Sequence, residues 1–305
     1  TTTTVSYIPS FYAPYDSDVN DDSSYSHTST TGGDPAISST QSKFGGYSLH
    51  LDGNDYVSYG NHSSFDIEDE DFTIEGWAYR TSNVTYGTLV AKWDSSGNQR
   101  SYILRFNVNG HLYFYRSDNG NSYQEFSGND LPAVGLNTWA HFAFVKKGRY
   151  GYFYVNGQRS TQTADLNNGG SSAFYTSSAP LSVGAINVYA TPTGANYFAG
   201  YLDDIKVTKG FAKYGLTNFT PPSSALGSSA ETADVLKGGF EDLARNHGVT
   251  KAGDAAINSS VKKFGTSSMY FDGTGDYLTV SSGDEFKDFN STEFTIEGWF
   301  YCTND

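Results

Sequence analysis

Apolar and polar residues alternate along six short stretches of the chain: Tyr47–Leu51, Phe72–Trp77, Tyr102–Phe106, Leu112–Tyr115, Trp139–Val145 and Tyr150–Val155. Successive side chains on a strand point to opposite faces, so this alternation predicts half-buried β-strands. Each stretch is bounded by Gly, Asn, Asp or Ser, residues that favour turns. Asn109-Gly110 and Asn156-Gly157 take positive φ readily and predict two-residue hairpin loops. No stretch carries the repeat of about 3.6 residues that marks a helix. The expected fold is all-β, a two-sheet antiparallel β-sandwich or jelly roll whose inward faces share one core. Trp77, Trp139, Phe44, Phe72 and Phe142 sit in or beside these runs and are expected to pack that core.

The pattern returns later in the chain. Lys43 opens KFGGYSLHLDGNDYV, followed by DFTIEGWAY, and Lys263 opens KFGTSSMYFDGTGDYL, followed by EFTIEGWFY. Phe44 matches Phe264, Asp52 matches Asp272, Tyr56 matches Tyr277 and Trp77 matches Trp299, while Asp34-Pro-Ala-Ile matches Asp254-Ala-Ala-Ile. A period of about 220 residues is far too long for a solenoid unit and implies tandem copies of a whole domain. The organisation expected is an N-terminal arm or linker at 1–14, a sandwich at 15–222, a linker at 223–230 and the first part of a second copy at 231–305. The second copy lacks counterparts of Val84 through Pro222, and half a sandwich leaves sheet edges and an apolar face bare. Either the natural chain continues past Asp305 or another subunit supplies the missing strands. Pro221-Pro222 followed by Ser, Ala and Gly reads as a short linker, so the copies are expected to be beads on a string.

Composition narrows the class. The 305 residues include 33 Gly and 24 Tyr but one Met and one Cys, which suits short strands joined by turns rather than a helical bundle. Because Cys302 is alone, no intrachain disulfide and no CxxC site can form, and stability must come from packing or bound ions. The formal charge of -14 repels phosphate backbones and anionic membrane surfaces, which argues against nucleic acid as a partner. No apolar run approaches the length of a membrane span, and Thr1 to Thr4 lack the features of a signal peptide.

Four blocks, KFGGYSLHLDGNDYV, DFTIEGWAY, NTWAHFAFVKKGRYGYFYVNGQ and GYLDDIKVTKGFAKYGLTNFTPP, resemble in order and spacing the laminin-G-like jelly-roll domain of the concanavalin A-like superfamily. Versions that close on a block like Asp203-Asp204-Ile-Lys-Val-Thr-Lys are familiar from bacterial surface proteins and phage fibres. The resemblance implies binding of surface glycans, an extracellular, cell-surface or virion location, and self-association or fibre partners. Similar domains often hold calcium between a first-block and a late aspartate. Carried over, that implies Asp52 or Asp55 with Asp203 and Asp204, and Asp272 and Asp276 in the second copy. The alternative is that Asp52-Gly53 is a tight turn and Asp203 caps or pairs with a neighbouring strand.

Trp93 stands beside a turn, and Tyr123, Tyr175, Tyr189 and Tyr197 lie among Ser, Gly, Asn and Thr. Sugar faces are apolar patches ringed by hydroxyls, so these five rings are candidate sugar contacts, with loop packing or a subunit interface as the alternative. No catalytic residue is assigned. Glycoside hydrolysis needs two carboxylates at a set separation. The one dense acidic tract, Phe65-Asp-Ile-Glu-Asp-Glu-Asp71, is diluted in its counterpart Phe286-Lys-Asp-Phe-Asn-Ser-Thr-Glu293 and reads as a solvated loop. Nucleophile elbows, zinc helices and phosphate loops are absent. Asn-x-Ser/Thr sequons at Asn61, Asn83, Asn218, Asn258 and Asn290 leave glycosylation open. The expected function is a non-catalytic lectin-like adhesion module whose linked copies multiply weak contacts. A purely structural filament or virion subunit is the alternative, and a polysaccharide-degrading enzyme a third.

Overall fold

The computed structural model describes residues 4–167, 172–188, 195–214, 217–234, 249–263, 267–280 and 298–302. The chain divides into two compact units, one of Tyr7–Glu231 and one of Thr232–Asp305 with Thr1–Ser6. In chain order the first strands are β1 (Thr4–Tyr7), β2 (Phe11–Ala13), β3 (Thr30–Gly32), β4 (Ala36–Ser38), β5 (Ser48–Asp52), β6 (Tyr56–Ser58), β7 (Phe72–Arg80) and β8 (Tyr86–Asp94). Next come β9 (Gln99–Asn107), β10 (Leu112–Arg116), β11 (Gln124–Ser127), β12 (Trp139–Lys147), β13 (Tyr150–Val155), β14 (Gln158–Arg159) and β15 (Ala164–Asp165). The last are β16 (Leu181–Val183), β17 (Ala199–Lys209), β18 (Glu231–Asp234), β19 (Val249–Ala252), β20 (Ala256–Asn258), β21 (Ser268–Tyr270) and β22 (Tyr277–Val280). Among the described residues the helical content is two single 3-10 turns, Ser63–Phe65 and Ser96–Asn98.

The larger unit is the expected sandwich. One sheet has seven strands in the order β11-β10-β9-β8-β16-β6-β3. The other has nine, running β14-β13-β12-β7-β17-β5-β4, with β15 beside β13 and β2 beside β17. Alternation sends Leu104, Phe106 and Phe114 inward from the first sheet to meet Phe72, Phe142 and Phe144 from the second. Phe114 stacks on Phe144 with ring centroids 3.7 Å apart.

Trp77 is buried, but not in that core. On β7 the inward set is Phe72, Ile74 and Ala78, while Trp77 packs edge-on against Phe44 and His141 on the opposite face, beneath the Lys43 ammonium. That outer face is covered by a strap, residues 211–214 and 217–231, whose stacked Tyr214 and Phe219 lie on Ala143, Val145, Tyr152 and Tyr154. With both faces buried, both phases of the alternation are apolar, so the pattern alone does not say which points to the main core.

The strap also changes the picture of the linker. The Leu226 N–H donates to Asp204 Oδ2 at 2.7 Å, and Lys206 and Lys213 both pair with Glu231, at 2.7 and 3.0 Å. Leu226, within the short linker expected at 223–230, is thus hydrogen-bonded to the sandwich. β17 itself pairs with β5 through Ala199–Leu202 and with β2 through Ile205–Val207. Its register against β7 shifts between Asp203 and Lys206, and Asp204 sits at φ 59°. This is a β-bulge, one of the few strand positions where a non-glycine residue takes a left-handed conformation.

In the smaller unit β19 pairs with β22 and β20 with β21. The larger unit pairs β3 with β6 and β4 with β5 at the matching sequence positions.

Candidate functional site

On the outward face of the seven-stranded sheet, the antiparallel register sets Tyr115 opposite Ile103 and Ile103 opposite Ala91. These residues cluster with Trp93, which is 5% exposed, and Ile186. Tyr123, on the loop before β11, meets Trp93 edge-on at 5.5 Å and Tyr115 at 5.8 Å, yet is itself 56% exposed. Two of the candidate rings therefore form one step, with buried Trp93 bracing exposed Tyr123. The Arg105 guanidinium is sandwiched between Tyr86, 3.7 Å away, and Tyr115, 4.0 Å away. Arg105 Nη2 donates to the Tyr115 hydroxyl, which donates in turn to Glu125 Oε2. Burial and the Glu125 contact push the Tyr115 hydroxyl above its usual range, against the pull of Arg105. The hydroxyl therefore stays protonated and the relay keeps its direction. The exposed Tyr123 ring thus stands against Tyr115, which links buried Arg105 to exposed Glu125, so an apolar face and a carboxylate acceptor, which match the apolar face and hydroxyl edges of a sugar, lie together.

The other candidate rings go elsewhere. Tyr175 is half-buried under the loop between β10 and β11. A Cβ on Gly120 would stand 2.7 Å from its ring, and its N–H donates to the Ser117 carbonyl. It packs that loop. Tyr197 is half-buried, and burial, with smaller contributions from Tyr56 and Asp55, raises its hydroxyl pKa. Tyr189 lies outside the described residues.

A second cluster lies at the turn between β5 and β6. Asp34, Asp52 and Asp55 offer carboxylate oxygens that all lie within 4.8 Å of one another. Asp55 is buried and shapes the turn, taking the Asp34 N–H on Oδ1 and the Asp52 N–H on Oδ2, both at 2.8 Å. The carboxylates of Asp34 and Asp52 are exposed. An all-oxygen set of this kind suits a hard cation such as calcium. Asp254, Asp272 and Asp276 repeat it, with the Asp254 and Asp272 N–H groups donating to Asp276 at 2.8 and 2.9 Å. Asp34 was not among the ligands expected, although the match of Asp34 with Asp254 was the signal for it.

Asp203 and Asp204 do not join this turn, contrary to the expected shared rim. Ala199 is the β17 residue opposite Asp52, and Asp203 is four residues further along the strand, about 13 Å away. Asp203 Oδ2 accepts the N–H groups of Lys43 and Phe44 at 2.7 and 3.2 Å. Asp204 accepts from the Tyr12 hydroxyl and the Leu226 N–H, both at 2.7 Å. The two aspartates use the bulge to hold the β4–β5 connection, β2 and the strap. Burial pushes the Asp203 carboxyl up to about 7, the two N–H groups opposing it and the charges of Asp204 and Asp16 adding to it.

Sequence reasoning also missed the buried carboxylate of Glu75. It is 0% exposed and accepts from Lys213 Nζ at 2.8 Å and from the Tyr214 hydroxyl, with His141 Nε2 3.6 Å away. Burial works against its ionisation, but His141 and Lys213 outweigh it and bring the carboxyl down to about 2. A glutamate inside the apolar run Phe72-Thr-Ile-Glu-Gly-Trp77, repeated at Glu297, was the available signal. The acidic tract is likewise more than a solvated loop. Asp66 is buried 3.4 Å from Lys92 Nζ, Asp69 pairs with Lys146, Glu70 pairs with Lys209, and Asp71 accepts the Gly148 N–H.

Two facing antiparallel sheets with one continuous core define a jelly-roll sandwich. The laminin-G-type sequence profile of the concanavalin A-like lectin/glucanases superfamily matches residues 51–210, and the chain belongs to that family. Among solved structures it is similar to domain 4 of AbnA, a GH43 extracellular arabinanase from Geobacillus stearothermophilus solved in complex with arabinotriose. The identity there is 15%, the TM-score 0.51, and the match covers 68% of this chain and 94% of that one. It is also similar to the binding domain of botulinum neurotoxin serotype G, with 12% identity and a TM-score of 0.50, over 90% of this chain and 65% of that one. At these identities the likeness is one of fold. No curated protein matches the chain.

Proposed function

We propose that the sandwich is a non-catalytic lectin-like module of an extracellular, cell-surface or virion protein, binding glycans on the face built by Trp93, Tyr115, Tyr123, Arg105 and Glu125. The observation that carries this reading is the exposed Tyr123 ring braced on buried Trp93 beside the Arg105–Tyr115–Glu125 relay. The related arabinanase domain, bound to arabinotriose, supports it. Hydrolysis needs a carboxylate pair about 5 to 9.5 Å apart across the bond. Glu125 here accepts from the Tyr115 phenol instead. Calcium would be held by Asp34 and Asp52 with Asp55 shaping the turn, stiffening the rim, and in the second copy by Asp254, Asp272 and Asp276. Tandem copies raise the local concentration for the next contact, so weak single-site affinity suffices. A glycan array followed by titration of the best ligand tests the reading. Tyr123→Ala should weaken binding at least tenfold, a loss of about 1.4 kcal/mol, without moving the thermal midpoint. No binding across the array sinks it.

A structural filament subunit is the second reading, favoured by the linker tied down through Leu226 and Glu231. Concentration-dependent polymers without glycan binding would support it.

A further inference from the structure

Lys92, between Ala91 and Trp93 of the proposed glycan face, meets Asn61 and Asp66. Lys92, on β8, is 0% exposed. Its Nζ touches Asn61 Oδ1 at 2.5 Å, the Ala179 carbonyl at 2.8 Å and Asp66 Oδ1 at 3.4 Å. Asn61 lies on the exposed loop after β6, and Asp66 follows the 3-10 turn Ser63–Phe65. β16 runs between β6 and β8, so the Lys92 side chain spans a neighbouring strand to reach both. Asp66 Oδ1 is buried and accepts no hydrogen bond. The geometry points to an isopeptide bond between Lys92 Nζ and Asn61 Cγ, formed with Asp66 as its general acid and base.

Three features favour bond formation over a simple hydrogen bond. An amine nitrogen this close to a carboxamide oxygen stands beside the amide carbon, the arrangement from which intramolecular attack draws a large effective molarity. Burial lowers the proton affinity of Lys92, Asp66 opposing it, which brings the nucleophilic neutral amine within reach. The Asp66 carboxylate faces the nitrogen that must lose protons.

The step balances without an oxidant or co-reactant. Asp66 takes a proton from the Lys92 ammonium, and neutral Nζ adds to Asn61 Cγ while the carbonyl pair moves to Oδ1. Asp66 then protonates Nδ2 and accepts a second proton from Nζ. The Oδ1 pair re-forms the carbonyl as the Cγ–Nδ2 bond breaks, and ammonia leaves on the exposed side, taking the proton held by Asp66. The Lys92 ammonium and the Asn61 carboxamide have become a secondary amide and a free ammonium ion.

Aligning Phe65 with Phe286 places Ser282 and Lys287 at the positions of Asn61 and Asp66, so the cross-link belongs to the first copy. In a chain whose single cysteine rules out an intrachain disulfide, it would be a covalent staple across the seven-stranded sheet.

Intact mass and peptide mapping of the full chain, made in a bacterial host that does not glycosylate Asn61, test this. The expected result is a mass lower than the sequence requires by one ammonia, with a branched tryptic peptide joining Lys92 to Asn61 and no cleavage after Lys92. Asp66→Asn should restore the full mass and an unbranched map while the β-sheet circular dichroism persists. Should that variant fail to fold, the wild-type branched peptide decides alone. The full sequence mass with cleavage after Lys92 would overturn the bond. So would a deficit mapping to a succinimide at Asn109 or Asn156, which loses ammonia within one unbranched peptide. A branched peptide surviving in Asp66→Asn would overturn the role of Asp66.

Discussion

Replacing Glu75 by Gln should loosen the strap and erase part of the acid sensitivity of the sandwich. The variant keeps the side-chain shape but removes the charge that Lys213, Tyr214 and His141 surround. The folded-state carboxyl is brought from 4.5 down to about 2, so the native state binds fewer protons than the unfolded chain. Stability from this group is therefore complete above about pH 4.5 and is lost as pH falls toward 2. A shift of this size corresponds to about 3 kcal/mol. Leaving Lys213 with only Glu231 costs a similar amount at neutral pH, the penalty of breaking a buried pair. For a unit of this size that is a drop in thermal midpoint of about 6 to 12 °C. Urea and thermal unfolding at pH 7, 5 and 3 supply the assay, with the difference between wild type and variant cancelling the other carboxylates. The gap should be widest at pH 7 and shrink toward pH 3. A gap independent of pH, or a midpoint change below about 2 °C at pH 7, would refute the clamp.

Asp203 should show the opposite sign. With its carboxyl raised to about 7, its contribution is full below the unfolded value near 3.8 and disappears as pH climbs through 7. Asp203→Asn should thus match wild type near pH 4 and exceed it at pH 8, by up to about 4 kcal/mol; equal urea midpoints at pH 8 would count against this. Calcium should raise the thermal midpoint of the wild-type chain, and Asp34→Asn with Asp52→Asn in copy one, alongside Asp254→Asn and Asp272→Asn in copy two, should abolish the rise while Asp203→Asn leaves it. A flat calcium response in wild type would remove the cation from the rim.

Much of the fold was legible because strand periodicity is local. All six alternating stretches are strands, and Asn156-Gly157 makes the tight β13–β14 turn, with Asn156 at φ 48° and Gly157 at φ 75°. Site residues were less legible. Trp93 and Tyr123 were marked as exposed turn aromatics, yet one is buried and supports the other. Tyr175 carries the same local signature and packs a loop. Arg105 and Tyr115 lie in alternating stretches and Glu125 in none, and nothing within a strand says that Tyr115 will stand opposite Glu125 with Arg105 one pair off, opposite Tyr113.

Sequence by itself determined the all-β class, the sandwich and the lack of an intrachain disulfide, since each depends on local spacing or on composition. Only the tertiary structure decided that Asp203 and Asp52 are held apart, that Glu75 is sealed by the strap, and that Lys92 reaches Asn61 across β16. Those outcomes depend on which strands pair and where a bulge shifts the register, and pairings between distant segments are settled by packing of the whole sandwich rather than by any local run of residues.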